Sequence, residues 1–129
     1  KDAIQKLDGK HFVILYGDET KNGMTRSVPL TKRCVAIVNK VGDFSHLDYA
    51  MAERVWQKLR KKMGLASDKQ FVIHCLRHTC ASRLAQSGKV ELHFIKEWLG
   101  HKSYNMTLRY AHLMPKNLLK AVNILEDYK

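Results

Sequence analysis

The 129-residue sequence has no apolar run approaching the ~20 residues that a membrane-spanning helix needs, so we expect no membrane partner. Its first residues, KDAIQKLDGKH, have none of the features of a secretory signal peptide. That start also lacks Met and reads as the middle of a structural element, so we expect a piece of a longer protein. Internal repeats and low-complexity segments are absent, which excludes repeat architectures.

Cysteine is scarce and irregularly placed. Cys34, Cys75 and Cys80 make an odd number with no regular spacing, which argues against a disulfide framework and for a reducing compartment. We expect all three to behave as small buried hydrophobic residues.

Positive charge is the strongest compositional feature. The formal net charge is +11 and the pI is about 9.7, while 45% of residues are hydrophobic, enough for the core of one domain. A polyanion, most commonly nucleic acid, is the simplest partner for such a field. Charge that serves only solubility is the alternative. An anionic membrane is disfavoured because no strongly basic amphipathic helix with an aromatic face is present.

The first third of the chain predicts a β-hairpin. Phe12–Tyr16 is a β-favouring apolar run, and Thr25–Leu30 is the expected return strand. Asn22-Gly23 is a preferred pair for a tight turn, which puts Lys21 at or beside the hairpin tip. Pro29 predicts that the return strand lies at an edge or is ending.

The remainder predicts helices. A first helix from a Ser45 capping box to Gly64 should bury a stripe, and Gly-terminated helices should follow from about 74 to 87 and from 91 to 99. A short helix capped by Ser103 and an amphipathic helix from Pro115 to Tyr128 complete the chain. The expected inward residues are Leu47, Met51, Val55, Leu59 and Met63, then Leu76, Cys80 and Leu84, then Leu92, Ile95 and Leu99, and finally Leu118, Leu119, Val122 and Leu125. The fold class is therefore α+β, mostly α, a helical bundle with a small antiparallel sheet at one side.

The segment HCLRHT concentrates His74, Arg77 and His78, which share one helix face near its N-terminus. Three interpretations remain open: a metal site, a phosphate site, or surface residues with no common purpose. Zinc would use the spacing of the two histidines, but Arg77 would repel the cation and no HExxH is present. A helix N-terminus with an arginine suits an anion.

A second segment, LGHKSYNMTLRYAHL, supplies two more candidates. His101 directly follows the Gly100 helix stop, on a turn that can aim its ring, and Tyr110 follows nine residues later. Taken alone, Tyr110 reads as a core aromatic residue and His101 as a surface turn residue.

Together, the segments TKNGMTRSVPL, HCLRHTCASRLAQSG, WLGHKS and MTLRYAHL resemble the tyrosine recombinases, which include phage integrases. They occur in that family's order and spacing, between about Phe12 and Leu113. The resemblance implies the recombinase catalytic fold, truncated at its N-terminus, with residues 1–129 as a single domain that forms its C-terminal part.

The resemblance also implies roles for five residues. Tyr110 would be the nucleophile that forms a 3′-phosphotyrosyl DNA intermediate, with no metal and no other cofactor. Arg77 and His101 would hold the phosphate oxygens. Lys21 would protonate the departing 5′ oxygen, and His74 would accept or return a proton. His78, His93 and His112 have no assigned role, and Tyr16 and Tyr104 read as structural.

DNA contacts would come from Lys21, Arg26, Arg77 and Arg109. The implied partner is double-stranded DNA bound by a homo-tetramer, in the cytoplasm of a bacterial or phage-infected cell, with the final helix packing in cis or in trans. The family's other arginine, in a stretch like xGxRxSE, has no match here, so we expect impaired cleavage by these residues alone. A non-catalytic DNA-binding module and a type IB topoisomerase-like strand cleavage remain the alternatives.

Overall fold

The computed structural model describes residues 4–20, 23–42, 47–116 and 118–127. The chain divides into two units, Lys1–Cys75 and Leu76–Lys129. The first contains a sheet and two helices, and the second contains helices. This confirms the predicted class, a mostly helical protein with a small antiparallel sheet.

Three antiparallel strands form the sheet of the first unit, in the order β1 (Ile4–Leu7), β2 (Lys10–Leu15) and β3 (Arg26–Pro29). The turn between β1 and β2 has two residues, Asp8 with φ 47° and Gly9 with φ 74°. Positive φ at both positions is what an Asp-Gly hairpin turn supplies, and its twist matches that of the flanking strands. The sequence interpretation had missed β1.

The predicted hairpin is the β2–β3 pair. Pro29 lies opposite Phe12 on the edge strand β3, as expected for a residue without an N–H. The connection is longer than a two-residue turn, since it contains a short 3-10 helix, Gly17–Glu19. The Thr20 hydroxyl donates to the Gly17 carbonyl at 3.1 Å and to the Met24 carbonyl at 3.0 Å. Lys21 and Asn22 lie outside the described residues.

Two helices complete the first unit, each with a side-chain cap. α1 (Lys32–Val41), which the sequence interpretation did not include, begins after Thr31, whose hydroxyl accepts from the Cys34 N–H at 3.2 Å. α2 (Tyr49–Lys62) is capped by Asp48, whose carboxylate accepts from the Met51 N–H at 2.6 Å. The predicted cap Ser45 lies outside the described residues.

The predicted buried stripe of α2 is wrong. The five residues of that stripe are all exposed: Leu47, Met51, Val55, Leu59 and Met63. All of them except Met63 line an open apolar groove. The buried residues are Trp56 and Arg60, because the chain after α2 returns over their face of the helix. The Trp56 indole donates to the Phe71 carbonyl at 3.2 Å. Arg60 donates to Gln57 at 3.0 Å, to the Ala66 carbonyl at 3.1 Å, and to the Asp68 carbonyl.

The second unit contains α3 (Cys75–Gln86, entered from the last residue of the first unit), α4 (Leu92–Leu99), α5 (Asn105–Leu108) and α6 (Leu118–Asp127). The predicted inward residues of α4 are confirmed as buried. Those of α3 are not, since Leu76 is 58% exposed and Cys80 and Leu84 are half-buried. The buried positions of α3 are Ala81 and Ala85, whose small side chains form its core face.

The predictions for the cysteines and for the last helix are also wrong in part. Cys34 is exposed and Cys75 and Cys80 are half-buried, so none of the three is a fully buried residue. The last helix begins at Leu118 rather than Pro115, and its Val122 and Leu125 are exposed. The side chains of Leu118 and Leu119 lie outside the described residues. In the part of the chain that the structure describes, each helix is too short or too polar to cross a lipid bilayer.

Candidate active site

The end of α4 fixes the predicted phosphate-binding arginine. Arg77, in the first turn of α3, is half-buried and donates to the carbonyl of Leu99, the last residue of α4. That carbonyl lies in the final turn of a helix, where carbonyls have no intrahelical partner. A guanidinium carries five N–H donors, so this bond uses only part of its capacity. The contact joins the start of one helix to the end of the next.

The turn after α4 positions His101, the histidine predicted to hold the phosphate. Gly100 adopts the left-handed conformation with φ 65°, which a residue without Cβ adopts at little cost. The His101 N–H then donates to the Lys96 carbonyl at 3.1 Å. The imidazole Nδ1 of His101 shares a hydrogen bond of 2.8 Å with the hydroxyl of Thr107, a fully buried residue on α5. Backbone and side chain together orient this ring.

The predicted nucleophile belongs to the core of the second unit. Tyr110 is only 4% exposed and follows α5, and its N–H donates to the Thr107 carbonyl at 3.0 Å. The buried residues grouped with it are all apolar: Ala81, Ala85, Leu92, Ile95 and Leu99. Its hydroxyl lies 2.7 Å from the Nδ1 of His78. A phenol and an imidazole ring are thus in hydrogen-bond contact.

His78 is the functional candidate that the sequence interpretation missed. It had been grouped with His74 and Arg77 by spacing but received no role. The available signal was its distance from two small residues: Ala81 and Ala85 follow at three and seven positions, on the same helix face. The sequence predicts the inward face of α3 from Leu76, Cys80 and Leu84, and this prediction wrongly places His78 on the side away from the core.

The second unit contains part of the predicted site. Arg77, His101 and Tyr110 are in the second unit, tied to neighbouring turns of it. His74 is an exposed residue of the first unit, one position before α3, and Lys21 lies outside the described residues.

The two additional arginines differ in environment. Arg26 is half-buried on β3, and Arg109 is exposed beside Tyr110. As for metals, no three His, Cys, Asp or Glu side chains within the described ranges are placed to hold an ion. The geometry thus places a phenol beside an imidazole, and holds a guanidinium and a second imidazole in the same unit.

Comparison with known sequences gives a family. The sequence model of the family described as "Phage integrase family" matches residues 2–117 of this chain. The putative integrase of Pseudomonas phage Pf1 is 32% identical over 110 residues, 84% of this chain and 32% of the relative. The Escherichia coli shufflon-specific DNA recombinase is 31% identical over 129 residues, covering 93% and 33% of the two chains. The integrase of Haemophilus phage HP1 is 36% identical over 104 residues, covering 80% and 29%.

Comparison with solved structures gives the same fold. The XerH site-specific recombinase, solved in a post-cleavage complex with a palindromic difH substrate, superposes with a TM-score of 0.67 at 22% identity. The match covers 96% of this chain and 39% of XerH. The chain therefore spans about a third of the length of the curated relatives and somewhat more of the structural one. With these matches, the chain belongs to the phage integrase family of tyrosine recombinases, the proteins that break and rejoin DNA.

Proposed function

We propose that this chain performs site-specific DNA recombination, with Tyr110 as the nucleophile that forms a 3′-phosphotyrosyl intermediate. Residues 1–129 would form a single domain, the C-terminal part of the catalytic domain. The observation that carries the proposal is the Tyr110 hydroxyl, 2.7 Å from the Nδ1 of His78 and in the same unit as Arg77 and His101. A hydroxyl nucleophile is activated by an adjacent base or by nearby positive charge, and this arrangement supplies candidates for both.

Electrostatics support phosphate as the target. A scissile phosphate gathers negative charge on its non-bridging oxygens as Tyr110 attacks. Arg77 can hold two of those oxygens through parallel donors, and His101 can donate a further hydrogen bond. Lys21 would protonate the leaving 5′ oxygen, and His74 would exchange a proton in the reverse direction. These cationic groups would replace a metal ion, and the phosphotyrosyl bond preserves the energy of the phosphodiester, so the proposal needs no cofactor.

Double-stranded DNA is the proposed partner. The net charge of +11 favours a polyanion, and Arg26 and Arg109 are further candidates for phosphate contacts. XerH, which has the same fold, was crystallised on its DNA substrate. We place the reaction in the cytoplasm of a bacterial or phage-infected cell, with four protomers on the DNA. The exposed Val122 and Leu125 of α6 are available for packing between protomers in such a tetramer.

The test is covalent capture on DNA. The protein at its full natural length is incubated with a pool of nicked duplexes that contain a randomised stretch, and adducts are resolved on a denaturing gel. We expect an adduct with the wild type and with Tyr104→Phe, and none with Tyr110→Phe. Tyr104 is a matched control because it lies six residues earlier and is 43% exposed. An adduct that persists in Tyr110→Phe would refute the assignment.

Further outcomes separate the alternatives. DNA binding without any adduct in the wild type would favour a non-catalytic binding module. Relaxation of a supercoiled plasmid without exchange between two marked duplexes would favour a topoisomerase. We expect these 129 residues by themselves to give a weak adduct, because they contain no match to the family's other arginine in a stretch like xGxRxSE. A lost anion-binding donor costs about 2.7–4 kcal/mol of transition-state stabilisation.

A further inference from the structure

We propose that His78 is a catalytic residue: its Nδ1 accepts the proton of the Tyr110 hydroxyl when that oxygen attacks phosphorus. This inference rests on the proposed function, because it assumes that Tyr110 is the nucleophile. It adds a specific proton acceptor to a set of residues in which Arg77 and His101 serve the phosphate. The separation of 2.7 Å is within the range at which a hydroxyl donates directly.

The Tyr110 ring packs in an apolar cluster with Ala81, Ala85, Leu92, Ile95 and Leu99, while its hydroxyl contacts the Nδ1 of His78. A hydroxyl nucleophile is activated by a base in hydrogen-bond contact with it. A neutral imidazole carries one nitrogen that accepts a proton, so His78 has the chemistry that the step requires.

The position of His78 is fixed by the fold. It shares the face of α3 on which Ala81 and Ala85 are fully buried. On the other side, the Tyr110 ring is buried in the same cluster, and its backbone is held by the Thr107 carbonyl. The two rings lie with centroids 6.1 Å apart and an interplanar angle of 47°. Both partners are therefore anchored by packing.

The reaction balances in protons and bonds. The Tyr110 oxygen forms a bond to the scissile phosphorus, and its proton passes to Nδ1 of His78, which becomes an imidazolium. The bond from phosphorus to the 5′ oxygen breaks, and that oxygen receives its proton from Lys21. In rejoining, a 5′ hydroxyl gives its proton to the neutral amine of Lys21 as its oxygen attacks the phosphorus. The bond from phosphorus to the Tyr110 oxygen breaks, and the His78 imidazolium returns its proton to that oxygen. The imidazolium also places a positive charge beside the phosphorylated oxygen in the intermediate.

The test measures single-turnover adduct formation by the full-length protein on a duplex recovered from the randomised pool. We expect His78→Ala to slow the step by about 100-fold, the usual contribution of a general base. His78→Asn should be similarly slow, because an amide keeps a hydrogen bond but takes no proton. His93→Ala is the matched control, since His93 has a side chain that is 57% exposed and pairs with Glu97 at 3.0 Å. It should cleave at the wild-type rate.

A chemical rescue separates proton transfer from packing. Placing 3,5-difluorotyrosine at position 110 of His78→Ala should recover much of the lost rate, because the more acidic phenol ionises without a base. A merely structural defect would not respond. If His78→Ala fails to fold, ¹⁵N NMR of the wild type decides: an Nδ1 that carries a proton and donates to Tyr110 overturns the proposal.

The outcomes distinguish this inference from the function beneath it. A Tyr110-dependent adduct that forms as fast in His78→Ala or His78→Asn as in the wild type overturns the role of His78 and leaves the recombinase proposal intact. No adduct in the wild type removes both proposals.

Discussion

Thr107 allows the orientation of His101 to be separated from the stability of the core. Thr107 is fully buried, and its hydroxyl shares a 2.8 Å hydrogen bond with Nδ1 of His101. Thr107→Val keeps the shape of the side chain and removes the hydrogen bond. Since His101 is only half-buried, its ring can turn toward water, so we expect a loss of about 1 kcal/mol of unfolding free energy. The misaimed ring should slow cleavage about 10-fold, equivalent to ~1.4 kcal/mol of transition-state stabilisation.

Thr107→Ser is the reciprocal variant. It keeps the hydroxyl and deletes one buried methyl group, which also costs about 1 kcal/mol of unfolding free energy. The two variants should therefore have similar urea unfolding midpoints but different adduct formation rates, with Ser near the wild type and Val slow. Equal rates in Thr107→Val and the wild type would refute the claim that Thr107 orients His101. Slow cleavage by both would mean that stability, rather than orientation, limits the reaction.

Three further predictions concern the core, a helix end and the connector after α2. Ile95→Ala, at a fully buried position, should cost about 2–5 kcal/mol of unfolding free energy by urea titration, and Leu108→Ala, 45% exposed, much less; equal losses would contradict the core assignment. Gly100→Ala should cost about 1–2 kcal/mol in the same titration, because its φ of 65° is left-handed; an unchanged midpoint would contradict that strain. Arg60→Met should cost about 1–3 kcal/mol and speed amide exchange in residues 66–71, because carbonyls that now accept from Arg60 lose their donor; unchanged exchange would show that Arg60 does not secure this connector.

The parts of the fold with strong local signals could be predicted from the sequence. The spacing of Leu92, Ile95 and Leu99 before Gly100 gave α4, its buried face and its end. The apolar run Phe12–Tyr16 and the expected return strand Thr25–Leu30 gave the β2–β3 pair. β1 was missed although Asp8-Gly9 is a strong hairpin signal, because only four residues precede that turn within the strand.

Burial was harder to predict than helix position. The apolar stripe of α2 indicated a face that the structure leaves exposed, and that of α3 is exposed at Leu76 and half-buried at Cys80 and Leu84. Trp56 and the alanines of α3 are buried instead. Hydrophobic spacing states which residues could be buried, but the neighbouring segment decides which ones are. On α2 that segment is the chain from Leu65 to Ile73, which covers Trp56 and Arg60. Such long-range choices are not visible in a local pattern.

The candidate site shows the same division. The resemblance named Arg77, His101 and Tyr110, and these residues still await the capture experiment. Their partners could not be named in advance. The contacts with the Leu99 carbonyl, the Thr107 hydroxyl and the His78 ring join different structural elements, and helical spacing describes only one helix at a time. A residue type without a known motif position receives no role until its neighbours are known.

The contacts that organise the candidate site also have a consequence for folding. Arg77–Leu99, His78–Tyr110 and His101–Thr107 join positions 22, 32 and 6 residues apart, all within one uninterrupted stretch of chain. Closing loops of that size costs little more entropy than closing shorter ones, and segments rich in near-neighbour contacts fold quickly. Arg77, His78, His101 and Tyr110 can therefore assemble as one early-forming cassette of the polypeptide. Such a cassette can also pass between proteins by recombination of their genes without being divided.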